Sequence, residues 1–159
     1  MKFCGIDEAK ELADMAREIW MEYYSTFLDT DLPRYVVTTF QSEEAIRQQI
    51  RDGYLYSFIM VGDKKAGYFC IVPEGDSLFM SKLYILKDLR GKGFGSRTLD
   101  EIIEKGREMR MKRVYLRVNK ENGPSIGIYS HKGFVVAEAL KEEIGDGFFL
   151  DDYLMEYRF

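Results

Sequence analysis

Hydrophobic side chains in the first part of the chain recur every three or four residues, which is the period of one face of an amphipathic helix. This pattern predicts a helix that begins after Asp7, a suitable N-cap, and runs to about residue 24. A short strand over residues 1–6 is expected before it. The apolar face of the helix consists of Leu12, Met15, Ala16, Ile19, Trp20 and Tyr23.

The helical period is interrupted at 27–33, where aspartate, threonine and proline residues predict a loop. Two more helices are then predicted, at 35–40 and 43–51. Ser42 precedes two glutamates and is a suitable cap for the second of these helices.

Aromatic and β-branched residues dominate the next part of the chain, which favours strands. Strands are predicted at 54–61, 66–72 and 77–86, separated by short polar turns. A helix at 94–111 and a strand at 114–118 follow. A strand–helix–strand crossover of this length normally makes its two strands parallel.

The last part of the chain predicts one helix and two strands. Pro124 suits the first turn of a helix at 125–132. Strands are expected at 134–143 and 148–157, joined by a glycine-containing turn. Together these elements predict an α+β fold with a mixed central sheet of about seven strands flanked by about four helices.

Length and composition narrow the class of protein. The 159 residues suit a single domain over residues 1–159. A net charge of -4 argues against nucleic acid as a partner, because a nucleic-acid footprint needs a basic face. No apolar window reaches the ~18 residues of a membrane helix, and no signal peptide is evident, so we expect a cytoplasmic protein without membrane contact. Cys4 and Cys70 lack metal-type spacing, so we expect reduced thiols and no metal site.

A glycine-rich segment, residues 90–96, follows the predicted strand at 77–86 and opens the next helix; we call it the glycine loop. It contains Gly91, Gly93 and Gly95. Glycines at the start of a helix let several free N–H groups approach one anion, and the helix dipole adds partial positive charge. The loop therefore suits a phosphate or pyrophosphate. The alternative is a glycine-rich turn that caps an ordinary strand–helix unit.

The spacing of the loop decides between known phosphate-binding motifs. No lysine followed by serine or threonine closes it, as a Walker loop requires, and its G-x-G-x-G spacing differs from the G-x-G-x-x-G of dinucleotide-binding folds. It fits [R/Q]-x-x-G-x-[G/A], beginning at Arg90. In this it resembles the acyl-CoA pyrophosphate loop of the GNAT superfamily of acetyl-CoA-dependent N-acetyltransferases.

The resemblance extends over residues 54–156. Residues 125–134 resemble the A-x-x-x-Y-x-x-x-G-F signature of that family, with Ser125 where alanine is common. The segment at 151–156 resembles the family's last strand. Residues 35–50, with Gly53 and Tyr54, are similar, more loosely, to the bacterial polyamine and diamine acetyltransferases.

The resemblance implies a GNAT-like fold and an enzyme that transfers an acetyl group from acetyl-CoA to a primary amine on a small molecule, such as a polyamine, or on a peptide. The backbone of the strand before the loop would hold the thioester carbonyl and pantetheine, and the loop would hold the pyrophosphate. The implied cofactor-binding residues are Leu83, Tyr84, Ile85, Arg90, Gly91, Lys92, Gly93, Phe94, Gly95, Ser96 and Asn122.

Tyr129 occupies the signature's tyrosine position, which the resemblance places near the CoA sulfur. A thiol has a pKa of about 8.5, so protonating the leaving thiolate helps the reaction proceed. Tyr129 is therefore the candidate general acid; the alternative is a tyrosine that packs in the core. His131, the single histidine, is expected at the surface.

The general base and the acceptor site are less defined by sequence. Many family members have a glutamate where this chain has Ser81, so a base acting through water is expected. Asp151 and Asp152 are alternatives, or structural acceptors. The candidate acceptor-binding residues are Trp20, Tyr24 and Asp152, and acidic residues that could attract a cationic amine are Glu22, Asp29 and Asp31.

The intact loop and Tyr129 favour an enzyme over the other function that the chain allows, a sensor or partner module that binds acyl-CoA without significant turnover. Dimers are common in the family, but the sequence marks no interface.

Overall fold

Helices occupy most of the first third of the chain in the computed structural model, which describes residues 1–23 and 31–159. Ser42 caps the third helix as predicted, because its hydroxyl oxygen accepts a hydrogen bond from the Ala45 amide at 3.1 Å. The predicted strand over residues 1–6 is wrong. Ile6–Glu8 is a 3-10 helix. Residues 1–5 are tied to the first strand by hydrogen bonds from Cys4 N–H to the Tyr56 carbonyl and from the Ser57 hydroxyl to the Lys2 carbonyl. The helices are α1 (Ala9–Tyr23), α2 (Asp31–Phe40) and α3 (Glu43–Arg51).

The rest of the chain contains strands and two more α-helices, close to the predicted positions. The strands are β1 (Leu55–Val61), β2 (Lys64–Glu74), β3 (Ser77–Ile85), β4 (Arg113–Asn119), β5 (Val135–Gly145) and β6 (Phe148–Arg158). The helices are α4 (Phe94–Glu108) and α5 (Gly123–His131). The described residues thus contain six strands and five α-helices, which confirms the α+β class with a mixed sheet.

The chain divides into two compact units, and β3 contributes to both. The first unit comprises Met1–Val72 and Lys82–Gly95. Its strand order is β1-β2-β3, with β1 and β2 antiparallel from the pair Leu55↔Ile71 onward. Its core consists of side chains that the helical and strand patterns direct inward, including Leu12, Ala16, Ile19, Ile46, Tyr56 and Tyr68.

The second unit comprises Pro73–Ser81 and Ser96–Phe159, and its strand order is β3-β4-β6-β5. The pairing of β3 with β4 is parallel, as predicted, and runs from Ser77↔Arg113 to Met80↔Leu116. β6 pairs antiparallel with both β4 and β5. This unit therefore contains the crossover from β3 through α4 to β4.

Alternate residues of β4 lie on opposite faces of the sheet in the second unit. Val114, Leu116 and Val118 are buried on the face that contacts α4, where a Cβ on Gly106 would lie 2.9 Å from Val114 Cγ2. The other face has a different character. It carries Arg113, Tyr115 and Arg117 of β4 together with Ser77 and Phe79 of β3 and Asp152 and Glu156 of β6, and we call it the arginine face.

Candidate active site

The glycine loop connects the 3-10 helix Lys87–Leu89 to α4. Gly91 and Gly93 have φ angles of 75° and 86°, in the left-handed region where a Cβ is unfavourable. Arg90 donates a hydrogen bond from Nε to the Ile85 carbonyl at 2.8 Å and so fixes the loop to the end of β3. The exposed backbone of the loop therefore leads directly into the N-terminus of α4, where free N–H groups suit an anion.

The second half of β3, Leu83–Ile85, belongs to the same unit as most of the loop. These three residues are half-buried. Tyr84 makes edge contacts with Trp20, at 5.9 Å between ring centroids, and with Tyr68, at 5.5 Å. Trp20 is buried in this cluster and contributes to packing; its contact with an acceptor stays a prediction.

A cavity of about 410 Å³ lies beside the turn that precedes the loop. Its volume is within the range of small-molecule sites. Glu22, which the sequence suggested as an attraction for a cationic amine, is among its lining residues. The lining contains three carboxylates and two ammonium groups, from Glu18, Glu22, Asp88, Lys64 and Lys87, together with Leu86 and Leu89.

Lys82 is a buried lysine that sequence reasoning missed, although the alternation of β3 places it with inward-facing Met80. Its Nζ lies 5.7 Å from the ring centroid of Tyr54 and 5.2 Å from that of Tyr56, and 3.5 Å from Gln49 Oε1. Burial lowers the pKa of Lys82, and the nearby Cys70 thiol opposes this shift.

The signature around Tyr129 forms one structural unit at the end of α5. The Phe134 amide donates to the Tyr129 carbonyl at 3.1 Å, and the two rings lie 6.0 Å apart. Gly133, with a φ of 103°, ends the helix. His131 is exposed, as predicted. Lys132 binds the Asp100 carboxylate at 2.8 Å.

Asn122 has a local role at the start of α5. It is buried, and its side-chain oxygen accepts a hydrogen bond from the Ser125 amide at 3.3 Å, which caps the helix. A contact between Asn122 and the cofactor stays a prediction.

Charged side chains of β4, β5 and β6 meet on the arginine face. Arg117 Nη1 donates to Glu142 Oε2 at 2.7 Å, and Arg117 Nε lies 3.4 Å from Asp152 Oδ2. Burial raises the pKa of Asp152, whereas the Arg117 guanidinium lowers it. Asp151 instead pairs with Lys120 at 2.7 Å. The sequence singled out both aspartates but not Arg117, because the pairing of β4 with β6 was not predicted.

Two predicted positions, Tyr24 and Asp29, lie outside the described residues. Over the described ranges, 1–23 and 31–159, no group of side chains could hold a metal ion. None of the helices described there is long and apolar enough to cross a membrane.

Comparison with known proteins identifies the family. Residues 12–134 match the model of the acetyltransferase (GNAT) family. The chain belongs to the GNAT family. It is therefore an acyltransferase, as the sequence predicted, and both the glycine loop and the Tyr129 signature lie within the matched residues.

Individual relatives agree with this assignment. The uncharacterized N-acetyltransferase YjgM of Escherichia coli K12 is 29% identical over 138 residues, which cover 84% of this GNAT protein and 80% of YjgM. The PaiA N-acetyltransferase of Thermoplasma acidophilum, solved in complex with coenzyme A, is similar in fold, with a TM-score of 0.79, 20% identity and coverage of 99% of this chain and 97% of that one. A GCN5-related N-acetyltransferase of Rhodopseudomonas palustris has a TM-score of 0.81 at 11% identity, covering 100% and 99% of the two chains. These structures confirm the GNAT fold.

Proposed function

We propose that this protein transfers the acetyl group of acetyl-CoA to a primary amine, with the whole chain acting as one catalytic domain. The observation that carries the proposal is the glycine loop, in which Gly91 and Gly93 adopt left-handed conformations immediately before α4. The coenzyme A in the structure of the PaiA N-acetyltransferase supports the choice of cofactor.

The loop fits the diphosphate of CoA on physical grounds. Its glycines expose backbone N–H groups to one point, and the N-terminus of α4 adds partial positive charge there. Arg90 holds the loop against Ile85, so the N–H groups are fixed before the ligand arrives. The Leu83 N–H would donate to the thioester carbonyl, and the Ile85 backbone would bind the pantetheine amides.

The reaction needs four proton transfers. An alkylammonium acceptor has a pKa near 10.4 and must lose a proton, to water in this proposal, before its nitrogen attacks the thioester carbonyl. The C–N bond forms, the C–S bond breaks, and Tyr129 gives its hydroxyl proton to the departing thiolate. The new amide loses its extra proton to solvent, and solvent reprotonates Tyr129. The balance is ammonium plus acetyl-CoA to amide, CoA thiol and one proton.

One observation favours a second candidate function, an acyl-CoA sensor. Ser81 stands where many GNAT proteins have a glutamate base. A chain without that carboxylate could retain cofactor binding and lose turnover.

The experiment that separates the two functions follows CoA thiol release from acetyl-CoA in the presence of polyamines, amino acids, aminoglycosides and peptides. Calorimetry measures acetyl-CoA binding in parallel. Release with at least one class of amine supports the enzyme. Tight acetyl-CoA binding without release across the panel supports the sensor and contradicts the proposed function.

A further inference from the structure

Arg117 donates a hydrogen bond from one side of its guanidinium, whereas the buried donors on the other side form none to the described residues. The Glu142 carboxylate accepts from Nη1 at 2.7 Å. Nε and Nη2 are buried atoms with no hydrogen-bond partner among residues 1–23 and 31–159. The Asp152 carboxylate is within ion-pair distance of Nε, at 3.4 Å, but does not form a hydrogen bond with it.

Nε–H and Nη2–H are adjacent donors on one edge of the planar guanidinium, and such an edge matches the two oxygens of a carboxylate. Burying donors without hydrogen-bond partners costs free energy. The edge of Arg117 therefore has the geometry and the energetic reason to bind a carboxylate.

Asp152 places a negative charge directly beside this edge. It is only 6% exposed, and its carboxylate lies 3.4 Å from Arg117 Nε. A ligand that brings a carboxylate to Arg117 would meet repulsion from Asp152 unless it also brings a cation. An α-amino acid carries an ammonium and a carboxylate on the same carbon, so it complements the neighbouring charges of Asp152 and Arg117.

The position of Arg117 on β4 connects this pair with the reaction. Parallel pairing of β3 with β4 ends at Met80↔Leu116, one residue before Arg117. Ser77 with Arg113, and Phe79 with Tyr115, share the arginine face, so the next row of the same face contains Ser81 and Arg117. The sequence resemblance places Ser81 where many members of the family have a glutamate near the acetyl group. Arg117 thus lies on the same face and in the same row as that position, and Asp152 lies on that face one row further along, opposite Asn119.

We propose that Arg117 and Asp152 select an α-amino acid as the acceptor: the Nε and Nη2 edge of Arg117 binds its carboxylate, and Asp152 accepts hydrogen bonds from its ammonium group. This inference rests on the proposed function and names the substrate class of the same reaction. Glu142 is a positioning residue, because it fixes Nη1 and so directs the opposite edge toward the ligand.

The first test compares acceptors that differ only in the carboxylate, using the wild-type protein. For leucine, leucinamide and isopentylamine, and for equivalent series with other side chains, we expect kcat/KM to fall by about 10–100-fold when the carboxylate is neutralised or removed. Equal values across a series, or a preference for diamines, overturn the inference while leaving the proposed function intact. If no tested amine is acetylated, both the inference and the proposed function are overturned.

The second test uses Arg117→Gln, with Arg113→Gln as the matched control. Arg113 lies on the same strand and face and also pairs with a carboxylate of β6, Glu156, at 2.8 Å. Arg117→Gln should raise KM for the amino acid by about 10-fold or more and leave KM for the corresponding amine within a few fold. Arg113→Gln should leave the KM for the amino acid and the KM for the amine within a few fold of the wild-type values. Equal effects of the two substitutions on both acceptors would show a structural role only.

A binding measurement makes the test independent of turnover and of a folding defect. An N-acetyl amino acid, the expected product, retains its carboxylate, and calorimetry compares it with its amide on the wild type. Tighter binding of the acid than of the amide, lost in Arg117→Gln but kept in Arg113→Gln, supports the assignment. If the Arg117 variant does not fold, equal binding of acid and amide to the wild type still overturns it.

Discussion

Gly67 on β2 lies against the carbonyl oxygen of Tyr84 on β3, so closely that a Cβ at Gly67 would overlap it. The Tyr84 carbonyl carbon and the Ile85 Cα would each lie 3.0 Å from the same Cβ. All of these are backbone atoms, which cannot rotate away as a side chain can. Gly67 therefore allows β2 to approach the part of β3 that is proposed to bind the thioester and pantetheine.

Gly67→Ala should consequently displace residues 84 and 85. We expect the free energy of unfolding to fall by about 1–3 kcal/mol, as for other overpacked sites, and acetyl-CoA binding to weaken. Denaturant unfolding and calorimetry measure the two effects. The control is Gly127→Ala in α5, where a Cβ meets nothing within 4 Å and alanine should stabilise the helix by about 0.5–1 kcal/mol. Unchanged stability and affinity in Gly67→Ala would contradict the close approach.

Gly93→Val should abolish acetyl-CoA binding. Valine is strained at a φ of 86°, and its branched Cβ would block the approach of a diphosphate to the loop backbone. Gly62→Val is the matched control, since Gly62 has a φ of 61° in the turn between β1 and β2. Both variants should lose stability, but only Gly93→Val should lose acetyl-CoA affinity in a calorimetric titration. Loss in both, or in neither, argues against the loop as the binding site.

Tyr129→Phe should lower turnover by about 10²–10⁴-fold with CoA affinity nearly unchanged, because the substitution removes the proton donor and keeps the ring. Tyr157→Phe is the control, as its ring also packs against Phe134, at 5.8 Å compared with 6.0 Å for Tyr129. Steady-state rates and CoA titrations on both variants test the assignment. A Tyr129→Phe enzyme within a few fold of wild type would mean that another group protonates the thiolate.

Lys82→Met should stabilise the protein at neutral pH. Burial holds the pKa of Lys82 below its usual value in the folded state, so in the wild type the unfolded chain binds more protons between the folded and the unfolded pKa. The contribution of Lys82 to wild-type stability therefore rises with pH up to about 10.4, and the advantage of Lys82→Met should shrink over this window. Urea unfolding at several pH values gives the curve.

Lys65→Met serves as the control for Lys82, since Lys65 also lies over an aromatic ring, that of Phe58 at 4.3 Å, but is half-buried and bound to Glu11. Removal of this half-buried side chain and its ion pair should not stabilise the protein. If Lys82→Met destabilises the protein equally at every pH, the buried ammonium is a favourable contact rather than a cost.

Local patterns were sufficient to predict most of the fold. The apolar period of α1, the cap at Ser42 and the glycine that ends α5 at Gly133 each depend on neighbours in sequence, and each is found where it was predicted. The predicted strand over residues 1–6 is not formed, because strand pairing depends on distant residues as well as on local composition. Among the backbone hydrogen bonds described outside the regular helices and strands, one joins this segment to β1, from the Cys4 amide to the Tyr56 carbonyl.

The same difference between local patterns and contacts with distant residues applies to the candidate site. The glycine loop and the Tyr129 signature are continuous in sequence and could be recognised there. Arg117 and Asp152 could not be paired from sequence, because their meeting depends on the register of β4 with β6, in which Arg117 lies opposite Leu154 and Asn119 opposite Asp152. Lys82 was overlooked because a lysine is ordinarily assigned to the surface, whereas here strand alternation turns it inward.

The central claim, direct transfer of acetyl to an amine, is tested most directly by a mass balance on the wild-type protein. Acetyl-CoA and an amino acid are incubated with the enzyme, and CoA thiol and N-acetylated product are quantified together. The thiols of Cys4 and Cys70 should contribute little background near neutral pH, because burial raises their pKa values to about 11 and about 12. We predict equal amounts of the two products over many turnovers. Thiol release without acetylated amine, or binding of acetyl-CoA with neither product, would contradict the account.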